Sequence, residues 1–156
     1  VKAIFVDTWA FLAMSNRRDP AHDDVLEADV WLDAHGSVRV TSDLVFEETL
    51  TSLHAAAGPE AALHFLDDFE AIVAAGEMQL VRVGPQGLSD SLSLFRKLAP
   101  RVPRLSLTDC SSLVVMKRLE ITLAFSADPH FRAAGKSVEP LFSWEKNRFV
   151  RAPIPV

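Results

Sequence analysis

The chain has 156 residues, 49% hydrophobic and 24% charged, with a formal net charge of −5. That length suits one domain with a substantial core, and the composition excludes a disordered or fibrous chain. The acidic balance argues against broad charge-driven binding to nucleic acid; an enzyme holding cations in an acidic pocket remains open. No apolar run approaches the ~20 residues of a membrane span. The opening VKAIFVDTWAF meets Asp7 early and has no small-residue cleavage site, so no signal peptide is expected. The single cysteine, Cys110, rules out an internal disulfide and fits a reducing cytoplasm. It reads as a small buried residue rather than a nucleophile.

Residues 3–7 (AIFVD) form an apolar run ending in an acid, as in a strand buried on both faces. Residues 8–14 predict a helix packing back on it. A second helix is predicted over 21–34, with Pro20 at its first turn and Gly36 ending it. Residues 38–41 read as a strand. From Ser42 and Asp43 a helix follows, broken by Gly58 and Pro59. The next helix, 60–75, is expected to face inward with Leu63, Leu66, Phe69, Ile72 and Val73. A strand over 78–83, a turn, and a helix from Ser89 or Asp90 to Leu98 come next, with Leu92, Phe95 and Leu98 inward. A basic loop, bounded by Pro100 and Pro103, follows Arg96 and Lys97 and carries Arg101 and Arg104. Thr108 or Asp109 opens a further helix, and residues 121–125 form a strand delivering Asp128. Residues 138–142 read as an edge strand, since they include Pro140, and residues 151–156 as a tail after a single domain over 1–150.

Strands alternating with helices imply a mostly parallel sheet covered on both faces. Ligands in such folds bind beyond the carboxyl ends of strands, where strand order reverses. Asp7 and Asp128 meet there if their strands are neighbours, and Glu48 and Asp109 reach the same rim from helix starts. Four carboxylates in one pocket repel: two unit charges 4 Å apart cost roughly 4 kcal/mol at an effective dielectric near 20. A divalent cation removes that cost, and oxygen-only ligands select Mg²⁺ or Mn²⁺ over zinc. Such an ion can activate water for phosphodiester hydrolysis.

VDTWAFLAM, TSDLVFEETLT, LSLTDCSSLVVMKRLEI and AFSADPHF resemble the four acidic motifs of PIN-domain nucleases, most of all the VapC-type toxins of toxin–antitoxin pairs. The resemblance covers roughly residues 3 to 142. It implies an α/β/α fold with a sheet of about five strands and an endoribonuclease dependent on Mg²⁺ or Mn²⁺. Carried over by motif, Asp7, Glu48, Asp109 and Asp128 would bind metal and catalyse, with Thr8 and Thr108 beside them. It further implies a homodimer and an antitoxin that blocks the cleft. Arg17, Arg18, Arg101, Arg104 and His130 are candidate RNA contacts, although for His130 an orienting role in the Asp128 turn is preferred. Three departures stand out. Trp9 occupies a position where many relatives carry a small hydroxyl residue. The second acid is Glu47 or Glu48, with Glu48 preferred. Pro129 stands where a charged or polar residue is commoner. A housekeeping RNA-processing nuclease and a non-catalytic binding module are the alternatives. A phosphatase of the haloacid-dehalogenase type would want an acid at position 9, where Trp9 stands.

Overall fold

The computed structural model describes residues 2–128 and 131, and the backbone of residues 139–140, 142–145 and 148–151. The first strand, β1 (Ala3–Val6), runs through the middle of the sheet, and Ile4, Phe5 and Val6 are all buried, as a strand covered on both faces requires. Helices α1 (Thr8–Ser15) and α2 (His22–Ala34) follow, then β2 (Val38–Ser42), α3 (Asp43–Ala74) and β3 (Met78–Val81). Helices α4 (Gly84–Leu98) and α5 (Leu107–Arg118) lead to β4 (Leu123–Phe125) and the short β5 (Glu139–Pro140). These five strands form one parallel sheet in the order β3-β2-β1-β4-β5, within an α/β/α arrangement. Pro140 stands in the edge strand, where a missing N–H is tolerated.

The order has a direct consequence for function. The chain builds β1, β2 and β3 outward on one side, then crosses to lay β4 on the other side of β1. The register Ile4↔Leu123, Phe5↔Ala124, Val6↔Phe125 makes β1 and β4 neighbours, and the reversal of strand order lies between them. The condition for Asp7 and Asp128 to share an edge is met.

Helix α3 is two arms joined at Gly58. Ser42 caps the first arm, its hydroxyl accepting the Val45 N–H at 3.2 Å. Gly58 has φ 87° and ψ 178°, a conformation essentially reserved for glycine, and Pro59 starts the second arm. An added Cβ at Gly58 would meet nothing within 4 Å. Gly58→Ala is therefore expected to lose about 1–3 kcal/mol through backbone strain alone, read as a lower urea midpoint with unchanged slope.

The second arm buries Ala62, Phe65 and Phe69, whereas Leu63, expected inward, is 59% exposed. The turn at Gly58 resets the helical phase, and the inward stripe is set by aromatic packing across the break. Phe11 of α1 meets Phe65 and Phe69 edge-on, with centroids 5.7 and 5.8 Å apart, and Phe46 of the first arm packs on Phe69 at 4.6 Å.

Helix α4 begins at Gly84, five positions before Ser89, because Pro85 occupies its first turn rather than a loop. Its buried positions are Gly87, Ser91 and Leu98, and Leu92 is 45% exposed. A Cβ at Gly87 would lie 2.9 Å from Val83 Cγ1, so small residues hold the close face and turn Leu92 outward.

Residues 138–142 are not one strand. β5 covers Glu139–Pro140, and Phe142 opens β6 (Phe142–Glu145), which pairs antiparallel with β7 (Arg148–Arg151). Arg151, expected to begin a tail, closes this ribbon. The linking Lys146–Asn147 lacks the Asn-Gly signal that marks a two-residue hairpin. Among the described residues, no helix is long and apolar enough to cross a membrane.

Candidate active site

Asp7 follows β1 and is 3% exposed. Its N–H donates to the Phe125 carbonyl at 3.4 Å, tying it to the end of β4. The wholly buried Ser126 donates its hydroxyl to Asp7 Oδ2 at 2.8 Å and accepts the Asp128 N–H at 3.0 Å. One hydroxyl thus couples the two acids that leave adjacent strands. Burial pushes the Asp7 carboxyl up to about 7, against the Ser126 bond, and the charges of Asp109 and Asp128 push the same way.

Glu48 lies in the second turn of α3, half-buried. The Thr8 hydroxyl donates to Glu48 Oε2 at 2.7 Å, and the Thr108 hydroxyl also bonds this carboxylate. Loss of solvent raises its carboxyl above the usual range, and the charge of Asp109 adds to that. Glu47 is exposed and accepts instead from the Thr51 hydroxyl at 3.2 Å. Geometry therefore separates the two glutamates: Glu48 faces the other acids.

The start of α5 differs from expectation. Its N-cap is Ser106, and Asp109 is the third residue of the helix. Ser106 Oγ accepts the Asp109 N–H at 3.0 Å while Asp109 Oδ2 accepts the Ser106 N–H at 2.8 Å, a reciprocal capping box. This reading was missed because Thr108 and Asp109 are themselves good caps. The box holds Asp109, 8% exposed, against the rim where Asp7 and Glu48 feel its charge.

Asp7, Glu48, Asp109 and Asp128 are accordingly linked by charge, with Thr8 and Thr108 between them. Three of the four carboxylates have an anchor of their own, however: Ser126 for Asp7, the two threonines for Glu48, the cap for Asp109. Among the described residues no three His, Cys, Asp or Glu side chains converge closely enough to hold one metal ion between them. The donor set still suits Mg²⁺ or Mn²⁺: it is all oxygen and strongly negative. Mg²⁺ in particular keeps several waters and needs only one or two direct carboxylates.

Arg101 and Arg104 are exposed on the loop that leads into Ser106 and Asp109, and Arg104 takes a left-handed φ of 60°. Arg17 and Arg18 stand elsewhere. The eight-residue α1 carries the chain about 12 Å from the acids, and the two arginines line a groove between α2 and the second arm of α3 that none of the four acids touches. His130 and Pro129 lie outside the described residues. Cys110 is buried, as expected; burial and then the Asp109 charge push its thiol up to about 11, which leaves it inert. Ser126 escaped the sequence reading. The available signal was a hydroxyl closing an apolar buried run, which must find a polar partner.

The PIN domain family profile matches residues 4–137, a span that contains all four acids. Among solved structures, the chain is similar to VapC20 of Mycobacterium tuberculosis, described as a toxin cleaving the sarcin-ricin loop. The two share 28% identity with a TM-score of 0.72, over 85% of this chain and 95% of that one. It is also similar in fold to VapBC2 of Rickettsia felis, solved bound to a DNA fragment from their promoter, at 13% identity and TM-score 0.58, over 84% of this chain and 92% of that one. No curated protein matches the sequence. The chain belongs to the PIN domain family and resembles its VapC-type members.

Proposed function

We propose that the chain is an Mg²⁺- or Mn²⁺-dependent endoribonuclease that hydrolyses RNA phosphodiester bonds at Asp7, Glu48, Asp109 and Asp128. The observation that carries this reading is Asp7, a carboxylate buried at the strand reversal under the charges of Asp109 and Asp128. Such a group is stabilised by a cation and serves little purpose in an inert scaffold. A bound divalent ion would polarise the phosphate and lower the pKa of an attacking water. Asp109, whose charge reaches both Asp7 and Glu48, would hold it with Asp7, and Glu48 and Asp128 would add charge from the rim. Ser126, Thr8 and Thr108 keep those carboxylates oriented. Because Asp7 must be ionised to bind a cation, metal affinity is expected to rise as pH passes through about 7.

Ser126→Ala removes the hydroxyl bonded to Asp7 and to the Asp128 turn. It is expected to lower Mn²⁺ affinity and cleavage by roughly 10–100-fold, the usual effect of losing a group that supports a metal ligand. An unchanged Mn²⁺ isotherm would show that Ser126 supports only the fold.

The toxin role, an antitoxin partner, a homodimer and a cytoplasmic location belong to the same proposal, supported by the similarity to VapC-type proteins. Arg101 and Arg104, beside the Asp109 cap, suit RNA phosphates better than Arg17 and Arg18, which open onto the other groove. Exposed apolar pairs one turn apart, Leu26 with Val30 on α2 and Leu88 with Leu92 on α4, offer faces for protein partners. The test is incubation with an RNA hairpin copying the sarcin-ricin loop, and with total RNA. Discrete cuts in Mn²⁺, abolished by EDTA and by Glu48→Gln, are expected. Intact RNA under every condition, or cutting undiminished by EDTA, would refute the reading.

A further inference from the structure

Thr41 is neither one of the acids nor one of the hydroxyls bonded to them, yet it bonds the backbone that carries Asp7. It lies near the end of β2 and is wholly buried, where an apolar residue such as valine is the ordinary occupant. A buried hydroxyl needs a partner, and this one reaches across to the next strand, donating to the Val6 carbonyl at 2.9 Å. The β1–β2 register ends at Phe5↔Val40, so this side-chain bond ties the two strands one residue beyond it. The Val6 carbonyl and the Asp7 N–H belong to one rigid peptide plane and point to opposite sides of it. The Asp7 N–H donates to the Phe125 carbonyl of β4 at the longer distance of 3.4 Å. The plane is thus gripped at both edges, and the shorter bond is the one to Thr41.

We propose that Thr41 is a positioning residue of the cation site, acting through the peptide that bears Asp7. The inference rests on the divalent-cation reading of that site. The Cα of Asp7 lies in the gripped plane, so the grip fixes the direction in which the carboxylate leaves β1. Ser126 then holds the far end of the side chain, at Oδ2. Thr41 also adjoins Ser42, whose hydroxyl caps α3, and Glu48 lies in the second turn of that helix. Two neighbouring hydroxyls therefore register the strand that delivers Asp7 against the helix that delivers Glu48. An error of about 1 Å in such a register can cost on the order of 100-fold in a catalysed step.

Thr41→Val removes the hydroxyl and keeps the shape. It is expected to weaken Mn²⁺ binding about tenfold, the lower end of what losing a metal ligand's support costs. At saturating Mn²⁺, kcat should fall by a similar factor while the KM for RNA stays at the wild-type value. Thr41→Ser, which restores the donor, should recover both. A merely structural hydroxyl would lower the urea midpoint of Thr41→Val but leave the Mn²⁺ isotherm and kcat of the folded protein unchanged, and that result would overturn the proposal. So would a loss that Thr41→Ser does not recover. Should valine prevent folding, Thr41→Ser and Thr41→Ala differ by the same hydroxyl, and equal Mn²⁺ affinity in those two would overturn it as well.

The grip is also readable without metal. In EDTA, hydrogen exchange of the Asp7 amide should quicken in Thr41→Val by a larger factor than that of buried Val25, an α2 amide bonded to the Ala21 carbonyl at 2.9 Å. Equal factors at both amides would show a loss of global stability alone and would overturn the grip. If the wild type bound no Mn²⁺ and cut no RNA, the cation reading would fail on those results, while the exchange measurement would still decide whether Thr41 holds the Asp7 peptide.

Discussion

Asp7→Asn is expected to abolish cleavage and, in EDTA at pH 8, to make the protein more stable. The two effects have one source. In the folded chain the Asp7 carboxyl is pushed up to about 7, chiefly by burial; unfolded, it returns to about 3.9. Between those values the native state holds a proton that the unfolded state has lost, so stability falls as pH rises. Below about pH 4 both states are protonated and Asp7 contributes no pH dependence. Above about pH 7 the full loss is present, up to roughly 4 kcal/mol at 1.36 kcal/mol per pH unit. Asparagine removes the charge, and its amide oxygen can still accept from Ser126. Wild type minus Asp7→Asn, followed by urea melts in EDTA from pH 4 to pH 8, should therefore show a gap that opens with pH in favour of the variant. Activity should fall by more than the roughly hundredfold that loss of a merely supporting group reaches. A variant less stable than wild type at pH 8 would mean that Asp7 is not a buried charge under strain.

Phe69→Ala is expected to destabilise the fold by about 3–5 kcal/mol. Phe69 is 3% exposed and touches Phe11, Phe46 and Phe65, so it joins α1 to both arms of α3 across the Gly58 break. Removing the ring leaves a cavity that three neighbours on two helices cannot close together. The same helices carry Thr8 and Glu48, so the variant should also lose cleavage at temperatures where it remains folded. Phe69→Leu, which keeps most of the volume, should recover much of both. A loss below about 1 kcal/mol for Phe69→Ala would show that the second arm packs independently of the first.

The strands that place the site were legible because their residues face the core on both sides. AIFV and LAF are unbroken apolar runs, and the acids that end or follow them mark the carboxyl edge. Glu48 over Glu47 followed only from a short family motif until the Thr8 bond placed it. What sequence periodicity could not supply were features set by partners far along the chain. Ser126 matters through Asp7, 119 positions away. The outward turn of Leu63 depends on aromatic contacts across Gly58, and that of Leu92 on the close approach at Gly87. Ser106 was hidden by Thr108 and Asp109, two further capping residues nearer the apolar stripe. The β6–β7 ribbon carries no Asn-Gly turn to announce it.

The central claim is that Asp7, Glu48, Asp109 and Asp128 form one divalent-cation site. A calorimetric Mn²⁺ titration of wild type and Asp7→Asn at pH 8 tests it most directly, alongside melting curves at the same concentrations. Saturable binding by wild type, a melting temperature that climbs with Mn²⁺ because the ion binds only the folded state, and loss of both in Asp7→Asn are expected. Identical isotherms for the two proteins, or no heat at millimolar Mn²⁺, would contradict it.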